Sequence, residues 1–239
     1  MKLKDKVAFV TGGSKGIGYG IAKSLAKEGI KVAITSRSLE SAGEAAINLN
    51  KEIGQDLVLG VKADVRHYDD LTKAVEQTID KFGQLDFVIA NAGLGHYANI
   101  QDLTPEQWSE TIDTNLTGVF NTAKTTLDAL KKTKGYFISI SSLAGTNFFA
   151  NGSAYNASKF GVTGFTQAMM LDVRDLGINV STIMPGSVAS HFNGNNPGPK
   201  DDWKIQPEDI GEMTVDLFKM NPRTLPSKVE MRPSQPSKK

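Results

Sequence analysis

A regular alternation along the chain restricts the fold more than any other feature of the sequence. Short apolar runs rich in β-branched residues, such as KVAFVTGG at 6–13 and KVAITSR at 31–37, are followed by longer amphipathic stretches. The short runs predict strands and the amphipathic stretches predict helices. This alternation is typical of a parallel sheet covered by helices on both faces. The predicted fold class is therefore α/β, a single doubly wound domain with a parallel sheet of about seven strands.

The predicted elements extend over nearly the whole chain. Strands are expected at 6–13, 31–37, 56–65, 85–93, 135–142, 178–186 and 228–233, and helices at 18–29, 39–53, 69–83, 106–131, 152–176 and 207–219. We find no repeat and no linker, so residues 1–239 are predicted to form one domain. Within it, 187–206 is expected to be a mobile substrate loop because it is rich in Asn, Gly and Pro, and the polar tail 234–239 is expected to be disordered.

Composition excludes several classes of function. The chain of 239 residues carries 27 Lys and Arg against 26 Asp and Glu, so its charge offers no footprint for nucleic acid or an anionic membrane. It has no cysteine, which excludes disulfides and thiolate metal sites, and we predict no metal site. The first apolar run is too short for a signal peptide, and no apolar run is long enough to span a membrane. The expected location is the cytoplasm.

A glycine-rich segment, TGGSKGIG, follows the first predicted strand directly. Its spacing, G-x-x-x-G-x-G at Gly12, Gly16 and Gly18, allows a sharp turn and a close approach to a pyrophosphate. The helix that follows presents free N–H groups and the positive end of its dipole. At this place in an α/β chain the segment predicts a dinucleotide site, with contacts that also include Ser14, Lys15 and Ile17.

The end of the second predicted strand indicates which dinucleotide is bound. An NAD site usually has an acidic residue there, which binds the ribose 2′-hydroxyl. Here the sequence reads TSRS, with Ser36 and Arg37, and the first carboxylate is Glu40. Arg37 and Lys15 suit a 2′-phosphate, since arginine pairs with phosphate bidentately. We therefore predict NADP as the cofactor.

The segment YNASK places Tyr155 and Lys159 four residues apart, on one face of a predicted helix. Neither side chain is a useful acid or base at neutral pH when its pKa is unperturbed. A neighbouring ammonium favours the phenolate, so we expect Lys159 to lower the pKa of Tyr155. The pair would then exchange a proton with a substrate.

These motifs together resemble those of the short-chain dehydrogenases/reductases, over Lys6 to about Gly186. The resemblance lies in the order and spacing of TGGSKGIG, ADV at 63–65, ANAG at 90–93, TNLTG at 114–118, ISSLAG at 140–145, YNASK and MPG at 184–186. It implies a Rossmann fold and oxidoreductase activity. It also implies a catalytic tetrad of Asn115, Ser142, Tyr155 and Lys159, in which Ser142 is preferred to Ser141 because it stands thirteen residues before Tyr155.

The resemblance also implies a role for each tetrad residue. Tyr155 would donate the proton, and Ser142 would hydrogen-bond the substrate oxygen. Lys159 would hold the nicotinamide ribose, and Asn115 would hold a water through a local break in its helix. Further cofactor contacts are implied at the ends of later strands: Asp64, Val65, Asn91, Ala92, Gly93, Pro185, Gly186, Val188 and Ser190.

The predicted function is NADP(H)-dependent interconversion of a small ketone or aldehyde and an alcohol. One alternative is a 3-oxoacyl-(carrier protein) reductase, which would need a basic patch where the loop offers only Lys200 and Lys204. Another is an NADP-binding sensor without catalysis. The resemblance implies a homodimer or homotetramer. His96–Tyr97 and Phe148–Phe149 could line the mouth of the pocket or form contacts between subunits, and the sequence does not decide between these.

Overall fold

A computed structural model describes residues 3–221 and 223–235 of the chain. Within them, seven strands form one parallel sheet in the order β3-β2-β1-β4-β5-β6-β7, which confirms the predicted fold class. The strands are β1 (Val7–Val10), β2 (Lys31–Ser36), β3 (Val58–Lys62), β4 (Phe87–Ala90), β5 (Tyr136–Ile140), β6 (Asn179–Pro185) and β7 (Lys228–Met231).

The helices cover both faces of the sheet. They are α1 (Gly16–Lys27), α2 (Leu39–Ile53), α3 (Tyr68–Phe82), α4 (Pro105–Ile112), α5 (Gly118–Thr133), α6 (Ser153–Val173) and α7 (Pro207–Lys219). One hydrophobic core lies between the sheet and α1, α2 and α7, and the other lies between the sheet and α3, α5 and α6. The single helix predicted at 106–131 is divided into α4 and α5 by a π-helical turn at Asp113–Thr117.

Strand β1 shows why an uninterrupted apolar run is needed at the centre of such a sheet. All four of its residues are buried. Successive side chains of a strand point to opposite faces. Accordingly, Val7 and Phe9 belong to the core on the α3 side, whereas Ala8 and Val10 belong to the core on the α1 side.

Two segments outside the long helices and strands complete the fold, and the first of them contains short 3-10 turns at Phe192–Gly194 and Pro199–Asp201. The expected substrate loop is closed at its base, because Val188 and Ile205 form a bridge and the Ala189 N–H donates to the Ile205 carbonyl at 2.9 Å. Of the tail expected to be disordered, residues 236–239 lie outside the described residues, while Ser234 and Gln235 line the cleft discussed below. In the part of the chain described, no helix combines the length and apolarity needed to cross a bilayer.

Candidate active site

A cleft of about 1730 Å³ opens at the carboxyl edge of the sheet. The strand order reverses between β1 and β4, and in doubly wound sheets ligands bind in the crevice at such a switch point. Single-ligand pockets measure roughly 300–1,000 Å³, so this cleft has room for a dinucleotide together with a substrate. All the predicted site residues line it except Gly18 and Asn115.

The glycine-rich turn forms the wall of the cleft after β1. Gly12 has a φ of 64°, and a Cβ atom there would lie 2.9 Å from the Ala92 Cα. Gly18 lies behind this turn, where a side chain would collide with the Gly12 carbonyl oxygen. Helix α1 starts here at Gly16, and its N-cap residue, Lys15, makes no side-chain capping bond. The backbone N–H groups at this helix start are thus left for an anion.

Asn91 joins the turn after β1 to the end of β4. Its amide nitrogen donates to the carbonyl oxygens of Thr11 at 2.9 Å and Gly12 at 3.0 Å. The Thr11 hydroxyl in turn accepts from the N–H groups of Asn91 and Ala92. The Asn91 side chain therefore holds the two halves of the switch point together.

The far end of the cleft fits the adenosine half of a dinucleotide. Arg37 and Lys15 line it, and both are exposed. Among the residues described, the Thr35 hydroxyl is the buried side-chain group without a hydrogen-bond partner, and Thr35 also lines the cleft. A bound polar ligand would give this hydroxyl a hydrogen-bond partner, and the glycine turn beside it leaves room for such a ligand because it admits no side chain. One carboxylate of α2, that of Glu44, also lines this region.

Asp64 and Val65 follow β3. The Asp64 carboxylate accepts from Arg66, whose Nε lies 3.0 Å from Oδ1, and this bond holds the pKa of Asp64 below its usual value. The Val65 carbonyl oxygen accepts from the Asn121 amide nitrogen at 3.0 Å. Both residues are thereby fixed at the edge of the cleft, before any ligand is considered.

The segment after β6 forms the opposite wall. The Gly186 N–H donates to the Met231 carbonyl at 2.8 Å, which ties the wall to β7. Further along, Ser190 reaches across toward the glycine-rich turn, with its Cβ 3.5 Å from where a Cβ of Gly16 would lie. Pro185 and Val188 line the cleft between them.

Asn115 lies in the π-helical turn and is fully buried. Its amide nitrogen donates to the Leu94 carbonyl at 2.8 Å, and its Oδ1 accepts from the Leu94 N–H at 2.8 Å. The same nitrogen donates to the Ser158 hydroxyl at 3.0 Å. The local break in the helix is therefore present, and the side chain at the break is used to position the neighbouring backbone.

Ser158 connects this turn to the predicted proton donor. Its buried hydroxyl donates to the Tyr155 carbonyl at 2.8 Å while accepting from Asn115. Sequence reasoning missed this residue, although it lies inside the YNASK segment. The available signal was its position, three residues after Tyr155, where a serine hydroxyl can bond back to a helix carbonyl.

The paired serines after β5 have different surroundings. The Ser141 hydroxyl is buried, donates to the Lys159 carbonyl at 3.1 Å and lies 2.9 Å from the Thr163 hydroxyl. The Ser142 hydroxyl accepts from the Ala144 N–H at 3.1 Å and lines the cleft. Both serines line the cleft, but the Ser141 hydroxyl is engaged by Lys159 and Thr163, whereas the Ser142 hydroxyl is the one that interacts with Tyr155.

Lys159 is buried, and its Nζ donates to the Ile140 carbonyl at 2.9 Å and lies 5.8 Å from the centroid of the Tyr155 ring. Burial lowers the pKa of Lys159 to about 8. Burial also raises the pKa of Tyr155, and an interaction with Ser142 opposes this only in part. The expectation that Lys159 lowers the pKa of Tyr155 is therefore wrong here, because desolvation outweighs an ammonium held at another carbonyl.

Three aromatic rings, which we call the aromatic rim, stand around Tyr155: Tyr97, Phe149 and Phe192. The Tyr97 and Phe192 rings meet the Tyr155 ring edge-on, with centroids at 5.4 and 5.8 Å, and Phe149 meets Tyr97 at 5.8 Å. Tyr97, Phe148 and Phe149 all line the cleft. His96 instead pairs with Glu110 at 2.8 Å, so the two residues of the pair His96–Tyr97 have different surroundings.

Comparison with known proteins agrees with this geometry. The family model described as short chain dehydrogenase matches residues 6–200. The chain belongs to the short-chain dehydrogenase family. Such proteins are oxidoreductases, which confirms the predicted enzyme class at that level.

Three relatives illustrate the range of the family. The trans-4-hydroxycyclohexanecarboxylate dehydrogenase of Sinomonas cyclohexanicum is 38% identical over 192 residues, 78% of this chain and 74% of that protein. An alcohol dehydrogenase of the archaeon Thermococcus sibiricus, solved with 5-hydroxy-NADP, has a TM-score of 0.89 at 30% identity, covering 96% of this chain and 97% of that one. A 3-ketoacyl-(acyl-carrier-protein) reductase of Brucella melitensis, solved with NADH, has a TM-score of 0.88 at 25% identity, covering 97% and 98%.

Proposed function

We propose that this short-chain dehydrogenase is an NADP(H)-dependent enzyme that interconverts a ketone or aldehyde and the corresponding alcohol. The observation that carries the proposal is the arrangement at one end of the cleft, where Tyr155, Lys159 and Ser142 meet beside a dinucleotide-sized groove. When bound, the nicotinamide supplies or accepts the hydride, which is chemistry that no side chain provides.

The residues of the chain would handle the proton and the substrate oxygen. Burial raises the pKa of Tyr155, so its phenol stays protonated at neutral pH and can protonate the carbonyl oxygen as hydride reaches the carbon. The Ser142 hydroxyl would donate a hydrogen bond to the same oxygen. Lys159, whose pKa is about 8, can return a proton toward Tyr155 near neutral pH. Asn115 acts indirectly, because its hydrogen bonds hold Leu94 and Ser158 in position.

Two cations support NADP over NAD. Arg37 and Lys15 line the adenosine end of the cleft, and the residues that end β2 include no carboxylate. The Thermococcus sibiricus relative was solved with an NADP derivative, whereas the Brucella melitensis relative was solved with NADH. Membership of the family therefore does not by itself decide between NADP and NAD. The choice therefore depends on Arg37 and Lys15, with Glu44 as the one carboxylate of α2 that could act against it.

Initial rates with NADPH and NADH over a panel of ketones, aldehydes and a 3-oxoacyl thioester test the proposal. We expect turnover with NADPH, and we expect Arg37→Gln to weaken the NADPH preference by about tenfold to a hundredfold, the value of one or two charge-assisted hydrogen bonds. Glu44→Gln is the matched control. It removes the carboxylate of α2 that lines the cleft, so it should not lower the NADPH preference. Faster turnover with NADH than with NADPH would contradict the assignment of NADP as the cofactor. A change of preference to NADH in Glu44→Gln would contradict it as well.

The 3-oxoacyl-(carrier protein) reductase alternative is less well supported by the surface near the site. A carrier phosphopantetheine needs free cations at the cleft mouth. Lys204 is already ion-paired with Asp201 at 2.6 Å, and neither Lys200 nor Lys204 lines the cleft. A preference for the thioester in the same panel would restore this alternative. NADPH binding without turnover of any compound would favour the sensor. The homodimer or homotetramer and the cytoplasmic location stay predictions.

A further inference from the structure

The aromatic rim is assembled from three loops that follow three adjacent strands. Tyr97 follows β4, Phe149 follows β5 and Phe192 follows β6, all at the carboxyl edge of the sheet. Each ring lines the cleft that holds Tyr155. The sequence left open whether Tyr97 and Phe149 line the pocket or form subunit contacts, and in this structure both line the cleft together with Phe192.

Backbone contacts hold these loops against one another. The Ala98 N–H donates to the Asn151 carbonyl at 3.0 Å, which joins the loop of Tyr97 to the loop of Phe149. The Gly95 N–H donates to the Asn193 Oδ1 at 3.1 Å, which joins the loop of Tyr97 to that of Phe192. Asn193 has a φ of 55°, in the left-handed region that asparagine tolerates. The rim is therefore a formed wall in this structure.

The loop of Phe149 is also fastened to the helix that carries Tyr155. Asn156, the next residue after Tyr155, donates from its Nδ2 to the carbonyl oxygens of Ala144 at 2.8 Å and Asn147 at 2.7 Å. Its Oδ1 accepts from the Phe149 N–H at 3.4 Å. The position of the Phe149 ring is thus linked to that of the Tyr155 phenol.

The aromatic rim lines the part of the cleft next to Tyr155. Aromatic side chains offer large, stiff, apolar surfaces that bury a ligand at low entropic cost. None of the three rings is charged at neutral pH, since burial raises the pKa of Tyr97 further above its ordinary value. Two rings meet the Tyr155 ring edge-on from separate loops, so a compact ring can contact both while its carbonyl oxygen faces the phenol. A flexible acyclic ketone would bury less area against the rings for each rotatable bond that binding immobilises.

This inference rests on the proposed function. We propose that the substrate is an apolar ketone whose carbonyl belongs to or is attached to a compact ring, and that Tyr97 is the main specificity-determining residue. The Tyr97 ring occupies the central position in the rim, because it contacts both Tyr155 and Phe149. Its contribution is positional, and the proton still comes from Tyr155.

A matched pair of ketones tests this inference. Cyclohexanone and 2-hexanone have the same number of carbons and differ in ring closure. We expect kcat/KM to be about tenfold or more higher for cyclohexanone than for 2-hexanone. We expect Tyr97→Ala to lower kcat/KM for cyclohexanone by about tenfold, mainly by raising KM, which is the range known for lost contacts in apolar pockets. Tyr97→Phe keeps the ring and should retain the preference. Phe192→Ala should reduce it as well.

The outcomes separate this inference from the proposed function. Equal kcat/KM for the two ketones, or an equal loss for both in Tyr97→Ala, would overturn the inference while leaving the carbonyl reductase intact. Calorimetric titration of cyclohexanone into the NADP-loaded protein provides a readout without turnover. Tyr97-dependent binding with no turnover would support the inference and contradict the proposed function. Absence of both binding and turnover of cyclohexanone would overturn the inference.

Discussion

Two asparagines hold neighbouring residues of one loop by different means. Asn115 is fully buried and bonds both the N–H and the carbonyl of Leu94, as well as Ser158. Asn193 is exposed and makes one bond, to the Gly95 N–H. The first belongs to the floor of the cleft, where the chemistry is proposed to occur, and the second belongs to the loop that carries the aromatic rim. Three bonds of a buried asparagine thus hold Leu94 and Ser158, whereas one bond of an exposed asparagine holds Gly95 against the loop of Phe192.

This difference has a functional meaning. A reaction that depends on Tyr155 needs its surroundings fixed, and buried hydrogen bonds are strong because their loss leaves polar groups unsatisfied. A substrate pocket can change through exposed loops without disturbing that floor. The three relatives are named for different compounds, which agrees with a substrate pocket that varies within the family.

The largest effect is expected from removing the buried asparagine. Asn115→Ala leaves the N–H and carbonyl of Leu94 without partners, and we expect a loss of about 3 kcal/mol in the free energy of unfolding. Asn193→Ala removes a single exposed bond, and its effect should stay below about 0.5 kcal/mol. Urea unfolding of both variants measures the difference. Similar losses for the two would show that the floor and the rim do not differ as described.

A second effect, of similar size, concerns the buried cation Lys159 and depends on pH. Its pKa is lowered from 10.5 to about 8, so between these values the unfolded chain binds more protons than the folded one. The stability of the wild type relative to Lys159→Met should therefore rise as pH increases from 8 to 10.5, by about 3 kcal/mol at 1.36 kcal/mol per pKa unit.

Lys204→Met is the matched control for this measurement, because Lys204 is a loop lysine paired with Asp201. Its stability relative to the wild type should show no comparable rise over the same pH range. Unfolding in denaturant at pH 7.5, 9 and 10.5 measures both variants. A flat difference between the wild type and Lys159→Met would mean that the ammonium is not desolvated as the structure indicates.

The fold and most of the cleft floor could be predicted because their signals are local in the sequence. Helices α2 and α7 have the predicted bounds. Helix α2 is marked at both ends, by the N-cap Ser38 and by Gly54 in the left-handed region. The glycine-rich turn, Ser142 and Tyr155 were predicted from short motifs, and the structure brings them to one cleft.

Other features depend on contacts between distant segments, which spacing does not reveal. Ser158 and Thr35 matter here because of burial, and the aromatic rim forms because three unrelated loops meet. The direction of the Tyr155 pKa shift was predicted wrongly for the same reason. The sequence places an ammonium one helical turn away, but only the structure shows how much water the phenol loses.

The most direct test of the central claim is the turnover of Tyr155→Phe alongside its affinity for NADPH. Removing the phenol oxygen takes away the proposed proton donor and leaves the ring and the groove in place. We expect NADPH to bind within about twofold of the wild-type affinity and turnover to fall by about a hundredfold or more, the usual contribution of general acid catalysis. Tyr97→Phe, which also removes one phenol oxygen from the cleft, should keep its turnover. A Tyr155→Phe enzyme that retained wild-type turnover would contradict the account.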